Sequence, residues 1–424
     1  MSSAPDDLDS LDFYSGDTFE KNGYPHAEWD RLRREAPVYW TERDTLVPFW
    51  AITRHEDIVS ISRQPKLWQN APRLAVFPEL EKEVEKRIAH GQAQPQQEAR
   101  HLLNMDPPDH GRYRKTASSH FTPRALRPKR ASVERISKRI LDEFANGGKT
   151  TVGDFVAGVS VRLPLEVLLE MLGVPQEDWK LMFQWTNETI GATDPEYQQG
   201  QSALETAERS RLQLFGYYMK MAEQRRKNPT DDIVSVIANA RIDGQLLPPL
   251  ELLSFYYVLV VAGNETTRNA TSGGLLALIQ NPGELAKLKK NPALIHSAVE
   301  EIVRWTSPVI QFCRTALEDT EIRGQKVRAG EAACLFYPSA NRDAAVFSDA
   351  HAFRVDRDPN PHLGFGIGEH FCMGANLARL ELEVVIGQLV ERLQEIELVG
   401  PVRRLRSSFV GGVKSMPIRY KLRA

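Results

Sequence analysis

The chain has 424 residues, 42% hydrophobic and 26% charged, a balance that suits a globular protein with a large core and excludes a disordered or fibrous one. Its 54 lysines and arginines nearly match 56 aspartates and glutamates, so no net charge favours nucleic acid, and none is expected as a partner. Three cysteines, Cys313, Cys334 and Cys372, cannot form an even disulfide framework and point to a reducing, cytoplasmic setting.

Met1 to Asp12 is polar and acidic and reads as a disordered tail, without the basic and apolar regions of a secretory leader or membrane anchor. The longest apolar run, Phe255 to Ala262, is too short to span a bilayer, so no membrane association is expected. A short helix is predicted over Pro25 to Glu35, then a hairpin from Val38–Trp40 and Phe49–Thr53, then a helix over His55 to Arg63. Glu79 to Ala89 reads as an amphipathic helix leading into a Gln-rich loop.

Pro107-Pro108 and Asp109 mark a helix start that places His110 and Arg114 on one face, where two donors can grip a pair of carboxylates. Basic residues continue through Lys115, Arg124, Arg127, Lys129 and Arg130. Core helices are predicted over Val152 to Leu172 and Gln176 to Ile190, with Asp194-Pro195 breaking the pattern before a helix from Ser202 to Lys227.

A central helix runs from Pro249 to Gln280 and is stopped by Asn281-Pro282-Gly283. Inside it lies Ala262-Gly263-Asn264-Glu265-Thr266-Thr267. A glycine costs a helix interior about 1 kcal/mol relative to alanine, so Gly263 implies a close approach to the backbone. The Thr266 hydroxyl can bond the Ala262 carbonyl and bend the helix. Glu265 beside it supplies an acid–alcohol pair able to relay protons. Glu301 and Arg304 follow at i and i+3 on a further helix, and Val309 to Thr315 reads as a strand.

Near the end stands Phe365-Gly366-Ile367-Gly368-Glu369-His370-Phe371-Cys372-Met373-Gly374. Cys372 precedes a helix predicted over Ala375 to Leu393, and the unpaired N–H groups at a helix start bias a thiol toward thiolate. Glycines leave room for a flat ligand, and Phe365 and Phe371 offer it apolar surface. One thiol cannot build a zinc finger or iron–sulfur cage, but it can be the single axial ligand of a haem.

This segment resembles the haem-binding signature of the cytochrome P450 family, Phe-Gly-x-Gly-x-His-x-Cys-x-Gly, with every fixed position filled. The other motifs follow in the family's order, with Ala344 where proline is common after Asn341-Arg342-Asp343. The resemblance implies a mainly α, multihelical cytochrome P450 fold with small β-sheets, one domain over 13–424, and haem b (iron protoporphyrin IX). It implies Cys372 as iron ligand beside Phe365 and Gly374, and His110, Arg114, Arg314 and His370 as propionate anchors. Ala262, Gly263, Glu265 and Thr266 would activate oxygen, and Glu301, Arg304 and Arg357 would brace the cysteine loop. Substrate contacts would come from Leu74, Val76, Phe77, Phe183, Thr186, Ile190, Val258, Val309, Ile310, Phe409 and Val410.

The reaction implied is insertion of one oxygen atom of O2 into a C–H bond of a steroid, terpenoid or fatty-acid-like molecule. Electrons would come from a ferredoxin with its NAD(P)H-dependent reductase, docking on the basic run of a monomer. A peroxide-driven peroxygenase and a non-catalytic haem sensor are the alternatives, and the acid–alcohol pair argues against both.

Overall fold

The computed structural model describes residues 8–44, 46–78, 80, 81, 84, 86, 90 and 100–423. The central helix spans Pro249–Gln280, with Pro249 in its first turn and Asn281 as its C-cap. Its 32 residues reach about 48 Å at 1.5 Å per residue. Most of its length is buried, which is why the sequence there shows no polar face. Around it pack helices Arg162–Leu172, Trp179–Ile190, Ala203–Lys227, Ile295–Thr306 and Ala375–Arg392. Two glycines set one of these distances: a Cβ on Gly273 or Gly274 would lie 2.7 Å from Thr306 Cγ2 or Ile302 Cγ2, so neither site admits a side chain.

The helix starts follow local chemistry. Ser202 caps Ala203–Lys227 in a reciprocal box with Glu205, a device worth about 1 kcal/mol. Five strands form the larger sheet, in the order Val38–Thr41, Phe49–Ile52, Ala332–Phe336, Gln311–Ala316, Trp68–Gln69. Phe49–Ile52 pairs in parallel with Ala332–Phe336, a contact between distant segments that hairpin patterns could not reveal. A three-stranded sheet joins Leu393–Leu398, Pro417–Leu422 and Thr151–Asp154. One large apolar cluster lies among the helices, and two smaller ones cover the faces of the five-stranded sheet.

Three expectations change. Of the tail, Leu8–Ser10 forms a 3-10 turn, and Leu8 and Leu11 pack against the cluster around Phe13, because even a polar segment orders where apolar side chains find a groove. Val152 does not start a helix: Thr151–Asp154 pairs with Pro417–Leu422, a π-turn covers Val156–Ser160, and the helix begins at Arg162. The helix expected over Glu79 to Ala89 falls largely, and the Gln-rich loop almost wholly, outside the described residues.

Candidate functional site

The cysteine loop is shaped by backbone. Gly366 and Gly368 have φ of 69° and 79°, and a Cβ on Gly368 would collide with the Ser62 carbonyl. The Cys372 N–H donates to Phe365 O at 2.9 Å, and the helix begins at Ala375. The Cys372 side chain borders open space, unlike the buried Cys313 and Cys334. It nonetheless sits deep in the molecule, and burial raises the thiol. The Gly374 N–H, Arg114 and Arg379 pull it down without reversing the shift. A thiolate here therefore needs more than the backbone of the helix start: a bound cation would favour it, since the thiolate is the form that holds metal.

Behind the loop, Glu301 and Arg304 are both fully buried. Arg304 Nε and Nη2 each donate to the carboxylate at 2.7 Å, and Arg357 Nε donates at 3.0 Å. The three residues expected to brace the loop thus form one hydrogen-bonded group. It also takes the Arg354 N–H at 2.8 Å and Asn360 Nδ2 at 3.2 Å, while remaining guanidinium protons go to carbonyls of Asn341, Ala350, Ala352, Ser348 and Asp349.

His110, Arg114, Arg314 and His370 converge. The two imidazoles stack with centroids 3.9 Å apart. Burial, then Arg114, drives His110 down to about 4, and burial, then His110 and the two arginines, drives His370 further, so both rings are neutral. His370 Nε2 is engaged by the Asn70 amide, whose own N–H and Nδ2 donate to Asp106. Arg114 donates to Phe371 O and Arg314 to Cys313 O, both through a single nitrogen. Neither arginine has a carboxylate partner among the described residues, although Arg314 is buried. Buried guanidinium without an anion is costly. The arrangement fits a ligand that carries its own carboxylates.

On the central helix Thr266 Oγ1 donates to Ala262 O at 2.8 Å, as its position predicts. Ala262 is exposed and Thr266 half-buried, although Asn264, Glu265 and every residue from Thr267 to Ser272 is buried. An opening therefore faces this turn. One reading is corrected. Glu265 does not pair with Thr266: its carboxylate accepts from Arg268 Nη1 at 2.9 Å and Asn269 Nδ2 at 3.3 Å, and Arg268 also reaches Asn187 Oδ1 at 2.9 Å. Arg268, three residues on, is the nearer cation partner on the same helix face. The close approach at Gly263 is made by Leu168, whose Cδ2 would lie 3.0 Å from a Cβ there.

The expected pocket residues divide. Leu74, Phe77, Ile190, Val309 and Phe409 are half-buried, and Phe183 is exposed. Val258 and Val410 are buried without joining any of the three apolar clusters. Val76 and Ile310 belong instead to the cluster around Phe13: Ile310 faces away from its half-buried neighbour Val309, and the Gln311 side chain holds the Val76 backbone, accepting its N–H at 3.2 Å and donating to its carbonyl at 2.9 Å. Thr186 is fully buried: its hydroxyl donates to Met182 O at 2.8 Å and accepts from Asn264 Nδ2 of the central helix at 3.4 Å, so it is spent between helices. Sequence reasoning missed Phe312, whose ring lies 5.4 Å from Phe409, itself 5.2 Å from Phe77. Its place two residues before Arg314 in one strand was the available signal.

A single open sulfur, two guanidiniums without acids, and a helix notch with an exposed alanine define a haem-thiolate site. Comparison with known proteins agrees. The cytochrome P450 family model matches residues 75–421. The chain is 38% identical to the steroid C26-monooxygenase of Mycolicibacterium smegmatis over 98% of this chain and 94% of that one. It is 36% identical to linalool 8-monooxygenase of Pseudomonas putida, covering 93% and 95%. A Mycobacterium marinum cytochrome P450 solved in complex with pseudoionone superposes with a TM-score of 0.87 at 34% identity, covering 99% and 100%. The chain belongs to the cytochrome P450 family. It is accordingly a haem b-dependent monooxygenase.

Proposed function

We propose that this chain hydroxylates a steroid, terpenoid or fatty-acid-like molecule, as a cytoplasmic monomer receiving electrons from a ferredoxin and its NAD(P)H-dependent reductase. The observation that carries the substrate class is the aromatic group Phe77, Phe312 and Phe409. Phe77 and Phe312 each pack a ring against Phe409, Phe312 stands two residues before Arg314 in one strand, and Leu74 and Val309 are half-buried. Such a wall rewards apolar area and offers few polar anchors. The names of the relatives, which include a methyl-branched lipid omega-hydroxylase of Mycobacterium bovis, support the same class. Among the described residues no helix is long and apolar enough to cross a membrane.

Bound haem supplies oxygen activation at iron. The chain's own residues have separate tasks. Cys372, with the Gly374 N–H directed at its sulfur, would hold the metal as thiolate. Arg114 and Arg314 would bind the propionates, and the stacked His110 and His370 would wall that end. Thr266 Oγ1, held by Ala262 O, hands a proton into the notch. Glu265 replenishes it only after its carboxylate leaves Arg268. Lys115, Arg124, Arg127 and Lys129 are exposed, and none pairs with a carboxylate among the described residues, so they suit an acidic electron donor.

A spectral binding screen across steroids, terpenoids, fatty acids and simple aromatics tests the reading. Members of the first three groups should bind and be oxidised with ferredoxin, reductase and NAD(P)H. Binding confined to small aromatics, or peroxide-driven turnover faster than ferredoxin-driven turnover, would overturn it.

A further inference from the structure

Next to the buried brace residue Glu301 stands a second glutamate, Glu300, with different partners. Arg379, on the cysteine helix, donates to it from Nε at 2.7 Å and Nη2 at 2.8 Å, a two-point fork only arginine can make. His362 Nε2 lies 3.1 Å from Oε2. The Gly364 N–H donates to His362 Nδ1 at 3.2 Å, so that nitrogen is bare and the ring's proton is on Nε2, directed at Glu300. Gly364 is required here, since a Cβ would lie 2.5 Å from Val303 Cγ1.

The same guanidinium lies flat over Phe365, its Cζ 4.5 Å from the ring centroid. Phe365 is the residue whose carbonyl receives the Cys372 N–H. Arg379 is therefore pinned on three sides: by Glu300, by an aromatic face, and by its own helix. The other carboxylate near it, Glu383, is already held by Arg130 and His296, each at 2.8 Å. Side-chain exposures of 30% for Arg379 and 29% for Glu300 leave the pair only partly screened by solvent. The guanidinium stands over Phe365, and its charge acts on Cys372.

We propose that Arg379 and Glu300 form a charge-compensated pair that sets the reduction potential of the cysteine-ligated iron, with Arg379 as the positioning residue and Glu300 as its neutraliser. The proposal rests on the haem-thiolate reading above. A positive charge beside the sulfur favours the more negative, reduced state of the iron–thiolate unit. Removing Glu300's charge leaves Arg379 uncompensated, whereas removing Arg379's charge leaves the loop without its cation.

The test is spectroelectrochemical titration of the haem-loaded protein at low salt, with retention of the thiolate-type carbon-monoxide spectrum checked in each variant. Glu300→Gln should move the ferric/ferrous potential to more positive values, and Arg379→Gln to more negative values. Both shifts should shrink as salt is raised. Arg379→Lys should keep the potential near wild type while lowering the unfolding midpoint, because charge survives but the fork and stacking do not. If Glu300→Gln fails to retain haem, Arg379→Gln gives the same measurement with opposite sign. Potentials unmoved in haem-loaded variants, or moved in the same direction, would reduce the pair to a structural brace and overturn the proposal. A wild-type protein that takes up no haem would overturn the functional reading as well.

Discussion

Glu301→Gln is the sharpest test of how the cysteine loop is held. One carboxylate serves five donors: Oε1 accepts Arg304 Nη2 and the Arg354 N–H, and Oε2 accepts Arg304 Nε, Arg357 Nε and Asn360 Nδ2. Glutamine keeps the shape but converts one oxygen to an N–H2 group. Whichever oxygen is lost, at least two donors face another donor. The lost charge matters more. Arg304, Arg357 and the buried Arg342 stand close together, and burial followed by the neighbouring Arg304 charge already drives Arg342 down. Breaking a buried pair of this kind costs about 3–5 kcal/mol, a large share of the roughly 5–15 kcal/mol that stabilises a typical native protein. Urea unfolding followed by tryptophan fluorescence, with the haem-to-protein absorbance ratio of the purified variant, measures both consequences. The midpoint should fall steeply and haem occupancy should drop, because the meander carrying Arg357 no longer supports the loop. Full haem occupancy with a loss of about 1 kcal/mol or less, the worth of an exposed pair, would refute the argument.

Thr266→Ala should retain haem and still consume reductant, but divert it to peroxide; unchanged product per NAD(P)H would remove Thr266 from proton delivery. Cys372→Ser should abolish the thiolate-type absorption shift of the reduced carbon-monoxide complex, and its persistence would refute the ligand assignment. Glu300 gives a pH signature. Burial raises its carboxyl, but the hydrogen bonds from Arg379 and His362 outweigh that and take it down to about 2 from 4.5. A depressed folded-state value means its stabilisation is full above pH 4.5 and lost as pH falls toward 2. Wild type should therefore lose stability over that acid range more steeply than Glu300→Gln; parallel acid limbs would contradict the ion pair.

The sequence by itself determined whatever depends on neighbours along the chain. The bounds of the central helix follow from Pro249 and Asn281-Pro282, the bond from Thr266 to Ala262 from a four-residue spacing, and the pair Glu301–Arg304 from three. Cys372 was legible because its glycines encode the turn that presents it. Tertiary structure decided what depends on partners distant in sequence. Glu265 turned from Thr266 because Arg268 is anchored by Asn187 on another helix. Ile310 and Val76 went to the core because partners distant in sequence hold their backbones: the Gln311 side chain bonds both the N–H and the carbonyl of Val76, and Phe409 O accepts the Ile310 N–H. Val152 joined a strand because Pro417–Leu422 lay beside it to pair. Desolvation, which no local pattern records, raises the Cys372 thiol, and the meeting of distant segments leaves Arg114 and Arg314 without a carboxylate partner among the described residues.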